Sequence, residues 1–199
     1  IFGLAVSGLV EKSNLKKNNT AKAGDLLYLT KPLGVGMIST AHKRGLALAA
    51  DFEEAVQSML QLNKMGEVFG KQNYIHAMTD ITGFGLLGHL VEVCEGSGLS
   101  AAINYAHVPL LKNIGHYAGN MIYPDNTMRN WSSYQDKIEG IGSESFLTLS
   151  DPQTSGGLLV CVDADSQQAF ESLCLSHDLN LKPIGEMIAA ETKTIKITH

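Results

Sequence analysis

Between residues 74 and 98 the chain reads YIHAMTDITGFGLLGHLVEVCEGSG, and this stretch restricts the fold more than any other. The apolar segment 75–79 has the length of a short strand. It ends at Asp80 and enters a glycine turn, Gly83-x-Gly85-x-x-Gly88. Leu86, Leu87, Leu90 and Cys94 then recur on one helical face, and Gly-Ser-Gly at 96–98 stops the helix. A strand that passes through a tight turn into a helix aims unpaired backbone amides at one point, which suits a phosphate. Asp80, at the mouth of the same turn, should repel one.

Three readings of that conflict are open. In a dinucleotide fold, GxGxxG cradles a pyrophosphate, and an acid about 20 residues on holds a ribose hydroxyl. Here the next strand segment, 100–105, ends without an acid. In a metal site, Asp80 holds Mg²⁺, which takes one or two carboxylates plus phosphate oxygens. The amides of Gly83 to Leu86 then face the phosphate, and Phe84 packs under the loop. In the plain reading, Asp80 caps the helix and the glycines make a turn.

A second loop, LSDPQTSGGLLV, pairs a stiff Pro152 with Gly156-Gly157, which lets backbone approach closely. Asp151, Gln153, Thr154 and Ser155 supply a carboxylate, an amide and two hydroxyls. Such a loop binds a ligand or makes Asx-turns. Strand ends gather ligands in α/β folds, so it is expected beside Asp80 at the same sheet edge. Lys31 is either a phosphate counter-charge or a surface lysine. Arg129 and Asn130 have the same standing, and Arg129 can also stack on the lone Trp131. The seven histidines form no HxxxH pair, and His89 reads as packing or capping. GxSxG and P-loop patterns are absent.

The remaining segments alternate. Strands are expected over 2–10, 26–30, 75–79, 100–105, 146–149, 158–162, 181–188 and 194–198. Helices are expected over 35–48, after Asp51 as N-cap, through Leu86, Leu87, Leu90 and Cys94 up to the Gly-Ser-Gly at 96–98, and over 164–177. Phe52, Val56, Met59 and Leu60 share the spacing of one helix face, as do Phe170, Leu173 and Cys174. Residues 113–144 read as helix pieces and loops bordering a site. The pattern predicts an α/β (α+β) architecture, a mixed sheet flanked by helices.

Composition narrows the function classes. Net charge is −5, which leaves no basic field for nucleic acid. Lys12, Lys16, Lys17 and Lys22 fall in a polar, solvated loop. Cys94, Cys161 and Cys174 are far apart in apolar segments, as expected of buried, reduced thiols in a cytoplasmic chain. No apolar run reaches about 18 residues, so no membrane span is expected, and no signal-peptide pattern is seen. The chain opens on IFGLAVSGLV without a methionine, which reads as the middle of a longer protein.

MTDITGFGLLGHL, LSDPQTSGGLLV and GDLLYLTKPLG together resemble the selenophosphate synthetase (selenide, water dikinase) family. IFGLAVSGLV and NTMRNW fit the same pattern, so the likeness spans essentially all 199 residues. The first two motifs also belong loosely to a superfamily that includes aminoimidazole ribonucleotide synthetase and thiamine monophosphate kinase. TGFGLLGH followed by DPQTSGGLL points to the selenium branch. The resemblance implies that residues 1–199 are the C-terminal domain. The N-terminal domain would carry the glycine-rich segment, a Cys or selenocysteine nucleophile, a Lys and further Mg²⁺-binding aspartates, so no catalytic residue is expected in this chain. It implies Mg²⁺ on Asp80. Thr82, Gly83, Gly85, Asp151, Gln153, Thr154 and Ser155 would line nucleotide or phosphate, with Lys31, Arg129 and Asn130 as further candidates. The implied reaction turns ATP, selenide and water into selenophosphate, AMP and phosphate, in a cytoplasmic homodimer built largely by the other half. The alternatives are another ATP-dependent member of the superfamily and a non-catalytic ligand-binding module.

Overall fold

The computed structural model describes residue 5 and residues 7–199. In chain order the elements are β1 (Leu26–Leu29), α1 (Val35–Lys43), α2 (Ala49–Leu60), α3 (Met65–Gly70), β2 (Ile75–Asp80), α4 (Gly85–Ser97) and β3 (Ser100–Asn104). Then come α5 (Ile114–Gly119), α6 (Asp125–Tyr134), β4 (Ile138–Glu139), α7 (Ser143–Leu149), β5 (Leu158–Val162), α8 (Gln167–Leu175), β6 (Gly185–Ile188) and β7 (Ile195–Thr198).

One sheet runs in the order β2-β5-β1-β6-β3-β7-β4. The pairings from β2 through β3 are antiparallel, whereas β7 runs parallel to both β3 and β4. This is the mixed sheet expected of the alternating pattern. It also removes the dinucleotide reading of GxGxxG. That fold places the strand before the glycines in a parallel sheet, and β2 has β5 antiparallel beside it.

Side chains alternate across the sheet and feed two cores. Leu27, Leu29, Leu159 and Cys161 meet Leu86, Leu87, Leu90 and Cys94 of α4. Tyr28, Val160 and Val162 meet Phe69 of α3 and Phe170 and Cys174 of α8. Covered on both sides, β5 has every residue buried, and its sequence LLVCV is accordingly apolar throughout. Each large side chain buried this way contributes about 1.5–3 kcal/mol. A third cluster of Met37, Ile38, Ala55, Tyr117 and Leu147 ties α1, α2, α5 and α7 together.

β2 lies at the sheet edge, and the segment ahead of β1 runs along its outer side. The Met78 amide donates to the Lys17 carbonyl at 3.1 Å. Thr20 Oγ1 donates to the His76 carbonyl at 2.6 Å, and Lys16 Nζ donates to the Gln72 carbonyl at 2.6 Å.

Several local expectations change. The strand expected over 2–10 lies partly outside the described residues. Residue 5 and residues 7–10 form no strand and are exposed. Residues 146–149 are the end of helix α7, because Leu147 packs into the third cluster and Phe146 meets Trp131, with ring centroids 5.2 Å apart. Helix α1 stops at Lys43, five residues early, as Gly45 takes a φ of +72°. Asp51 is not an N-cap. It sits inside α2, buried, and accepts from Tyr117 Oη at 2.6 Å and Asn113 Nδ2 at 2.9 Å. Leu60 is exposed rather than packed.

Candidate functional site

Strand register brings the two loops together. Asp80 closes β2 directly opposite Leu158, which opens β5. The loop at 151–157 is therefore delivered beside Asp80. The Ile81 amide donates to the Gly157 carbonyl at 2.8 Å, and the Gln153 amide to the Thr82 carbonyl at 2.9 Å. β1 ends on the far side of β5, with Leu29 opposite Leu159. The Thr30 amide donates to the Leu158 carbonyl at 3.0 Å, and the Leu158 amide to Thr30 Oγ1 at 2.8 Å. Three strand ends thus make one edge.

Glycine is required where the backbones touch. A Cβ on Gly156 would stand 2.1 Å from the Ile81 carbonyl oxygen. Gly85 has a φ of +71°, and its Cβ would stand 2.8 Å from the Ser150 carbonyl carbon. A Cβ on Gly83 would meet nothing within 4 Å, so this residue faces open space.

The outer lip of the edge consists of Asp80, Gly83, Phe84, Thr154 and Ser155, all exposed. Phe84, 56 % exposed, stands out from the turn instead of packing under it. Asp80 does not cap α4, which has no side-chain cap. Among the described residues no group of three or more His, Cys, Asp or Glu could hold a metal ion. Asp80 therefore offers one exposed carboxylate. That fits a Mg²⁺ whose other ligands are phosphate oxygens and waters, and does not fit a metal caged by this chain alone.

The inner half of the edge is support. Asp151 Oδ2 accepts from the Gly36 amide at 3.0 Å and from Gln153 Nε2 at 2.8 Å. Gln153 Oε1 accepts from the Gly34 and Val35 amides, both at 3.3 Å. Both side chains are buried and satisfy the free N-terminal amides of α1 rather than face the lip. Burial pushes the Asp151 carboxyl up to about 7, while bonds from Gln153, Met37 and Gly36 pull the other way. Lys31, 2 % exposed, donates to the Ser155 and Gln61 carbonyls at 2.6 Å each. Burial lowers its pKa, and its charge is spent on stapling rather than shown to a phosphate. Asn130 is buried and its Nδ2 donates to the Gly83 carbonyl at 2.8 Å and the Ser150 carbonyl at 3.1 Å, which ties one loop to the other. Arg129 is exposed on α6, and Trp131 packs edge-on against Tyr134 and Phe146. The Thr82 hydroxyl is turned inward, 3.1 Å from His89 Nε2. Of the amides expected to face a phosphate, that of Gly85 donates instead to the Thr82 carbonyl at 3.1 Å.

Two supports carry no local signal in the sequence. Asn63 Nδ2 donates to the Gly156 carbonyl at 2.9 Å, and Tyr134 Oη to the Phe84 carbonyl at 3.3 Å. The three cysteines are buried and unpaired. Burial pushes Cys94 and Cys174 up to about 12 and Cys161 higher still. None is a thiolate near neutral pH.

This fold and edge define the class. Residues 22–198 match the family model described as AIR synthase related protein, C-terminal domain, and the chain belongs to that family. Within it, the chain is 47 % identical over 197 residues to a selenide, water dikinase of Colwellia psychrerythraea, and equally so to one of Pseudomonas putida. Each alignment covers 99 % of this chain and 57 % of the relative, so the chain spans little more than half the length of these proteins. The fold resembles thiamine-monophosphate kinase from Stenotrophomonas maltophilia, with a TM-score of 0.66 at 18 % identity, covering 94 % of this chain and 54 % of that one. It also resembles the hydrogenase maturation protein HypE in complex with ATP, with a TM-score of 0.59 at 17 % identity, covering 88 % and 45 %. These two likenesses concern the fold alone. Among the described residues no helix is long and apolar enough to cross a membrane.

Proposed function

We propose that residues 1–199 are the C-terminal domain of a selenide, water dikinase, whose whole chain turns ATP, selenide and water into selenophosphate, AMP and phosphate. The observation that carries this reading is the 47 % identity over 197 residues to relatives of that name. The edge suits the task. Phosphoryl transfer is mostly positioning and charge neutralisation. Asp80 would be this domain's ligand to Mg²⁺, which, when bound, supplies positive charge to the phosphate oxygens. The Thr154 and Ser155 hydroxyls and the open backbone at Gly83 would line the phosphate. Asp151, Gln153, Lys31 and Asn130 hold that lip in shape from behind.

The nucleophile that handles selenium lies outside this chain, because its cysteines are buried and neutral. The fragment alone is therefore inactive. The whole protein is a cytoplasmic homodimer with no nucleic-acid partner. The test measures AMP release from ATP with selenide and magnesium, for the full-length protein and for residues 1–199 side by side. Selenide-dependent AMP from the full-length protein only is the expected result. AMP formed without selenide, or by the fragment, would overturn the reading. Mg-ATP should bind the fragment only at the millimolar end, roughly −4 kcal/mol.

A further inference from the structure

His89 lies just inside α4 and is 7 % exposed. Its Nε2 stands 3.1 Å from the Thr82 amide nitrogen and 3.1 Å from Thr82 Oγ1. A backbone N–H can only donate, so Nε2 is the bare nitrogen of the ring. The proton of the neutral imidazole then sits on Nδ1. Glu92 Oε2 is 3.3 Å from Nδ1 without making a hydrogen bond to it, and a carboxylate oxygen there can only accept, so its charge favours the same tautomer.

Thr82 is the joint of the two loops. Its carbonyl accepts the Gly85 amide at 3.1 Å, which closes the glycine turn, and the Gln153 amide at 2.9 Å, which docks the second loop. Its amide is the one held by His89. The peptide groups on both sides of Thr82 are thereby fixed, two residues from Asp80 and one from Gly83.

We propose that His89, as its Nδ1–H tautomer, is a positioning residue: Nε2 anchors Thr82, and Thr82 holds the glycine turn and the 151–157 loop in register. A proton on Nε2 would confront the Thr82 N–H and release the joint. The effect on turnover rests on the kinase reading of this edge; the tautomer and the anchored amide do not.

The experiment uses the full-length protein that carries this chain, with ¹⁵N-labelled histidine. Imidazole nitrogen shifts should report His89 as Nδ1–H with a bare Nε2. In His89→Gln the side-chain oxygen reaches the place of Nε2, so hydrogen exchange at the Thr82 amide and kcat should stay within about threefold of the parent. His89→Leu fills the space without an acceptor. Thr82 exchange should then rise about tenfold and kcat fall about tenfold, the worth of one ordinary hydrogen bond. An Nε2–H tautomer in the unsubstituted protein overturns the proposal, even if neither variant folds. So does equal Thr82 exchange in the Gln and Leu variants. The expected tautomer and exchange pattern in a protein without selenide-dependent turnover would sustain the inference while removing the kinase reading.

Discussion

Asp80 and Leu158 stand opposite each other across β2 and β5, and this single pairing puts the two glycine-bearing loops at one edge. The register is strongly fixed. A slip of one residue would turn Leu159 and Cys161 away from α4 and drive Leu158 and Val160 into their place. The same slip would carry residues 151–157 away from Thr82. The core therefore sets the geometry of the site.

Asp80→Asn should leave the fold intact. The side chain is exposed and caps no helix, so the loss should stay within about 0.5 kcal/mol in thermal or urea unfolding. In the full-length protein the same change should abolish ATP turnover at ordinary magnesium concentrations. Activity that persists would show that Asp80 holds no metal.

Two glycines of these loops should respond oppositely to alanine. Gly156→Ala forces a methyl group to within 2.1 Å of the Ile81 carbonyl oxygen and should cost about 1–3 kcal/mol or more. Gly83→Ala meets open space and should cost under about 1 kcal/mol. Denaturant midpoints of the two variants provide the comparison, and equal losses would mean that the two loops are not in contact.

Stability should carry the signature of Asp151. Burial holds its carboxyl at about 7 in the folded chain, above the ordinary carboxylate value of 3.8. Between roughly pH 4 and pH 7 the folded chain keeps a proton that the unfolded chain has released. This contribution is fully present below about pH 4 and is lost as pH rises through about 7. Asp151→Asn should lack it, so the variant should gain on the parent in Tm between pH 4.5 and 7.5. Parallel curves would mean that the amides of α1 already hold Asp151 ionised at pH 4.5.

Lys31→Met should destabilise by about 2–3 kcal/mol, because the Ser155 and Gln61 carbonyls lose their donor in a buried place. Proteolysis or hydrogen exchange should locate the loosening at residues 153–157. A change confined to the surface near Gln61 would contradict the stapling role.

The strands and helices that cross the middle of the fold were legible because their apolar periods are long or unbroken. Leu158–Val162 is continuously apolar because both its faces are covered, and the α4 leucines keep helical spacing. The segment FLTL at 146–149 was not legible: over four residues, an apolar run has no period to separate strand from helix. In sequence alone Asp51 reads as a cap because its partners, Asn113 and Tyr117, lie more than 60 positions away. The site divided in the same way. Asp80 and the glycines are local signals, and both loops can be read from them. The inward turn of Asp151 and Gln153 toward α1 depends on contacts with Gly34, Val35 and Gly36, which no spacing within the loop could reveal.

The arm ahead of β1 has a consequence for how this chain can be shortened. The family's match begins at residue 22, past every group that Lys16, Lys17 and Thr20 place against β2 and the turn before it. A chain started there would lose only Ala21 from its core but leave the Met78 amide and the His76 carbonyl bare on an outermost strand. Such an edge invites another strand. The shortened chain should self-associate as its concentration rises, by adding a neighbouring copy to the sheet, where the longer chain stays monodisperse. Those few polar residues act as a stopper against unwanted polymer growth.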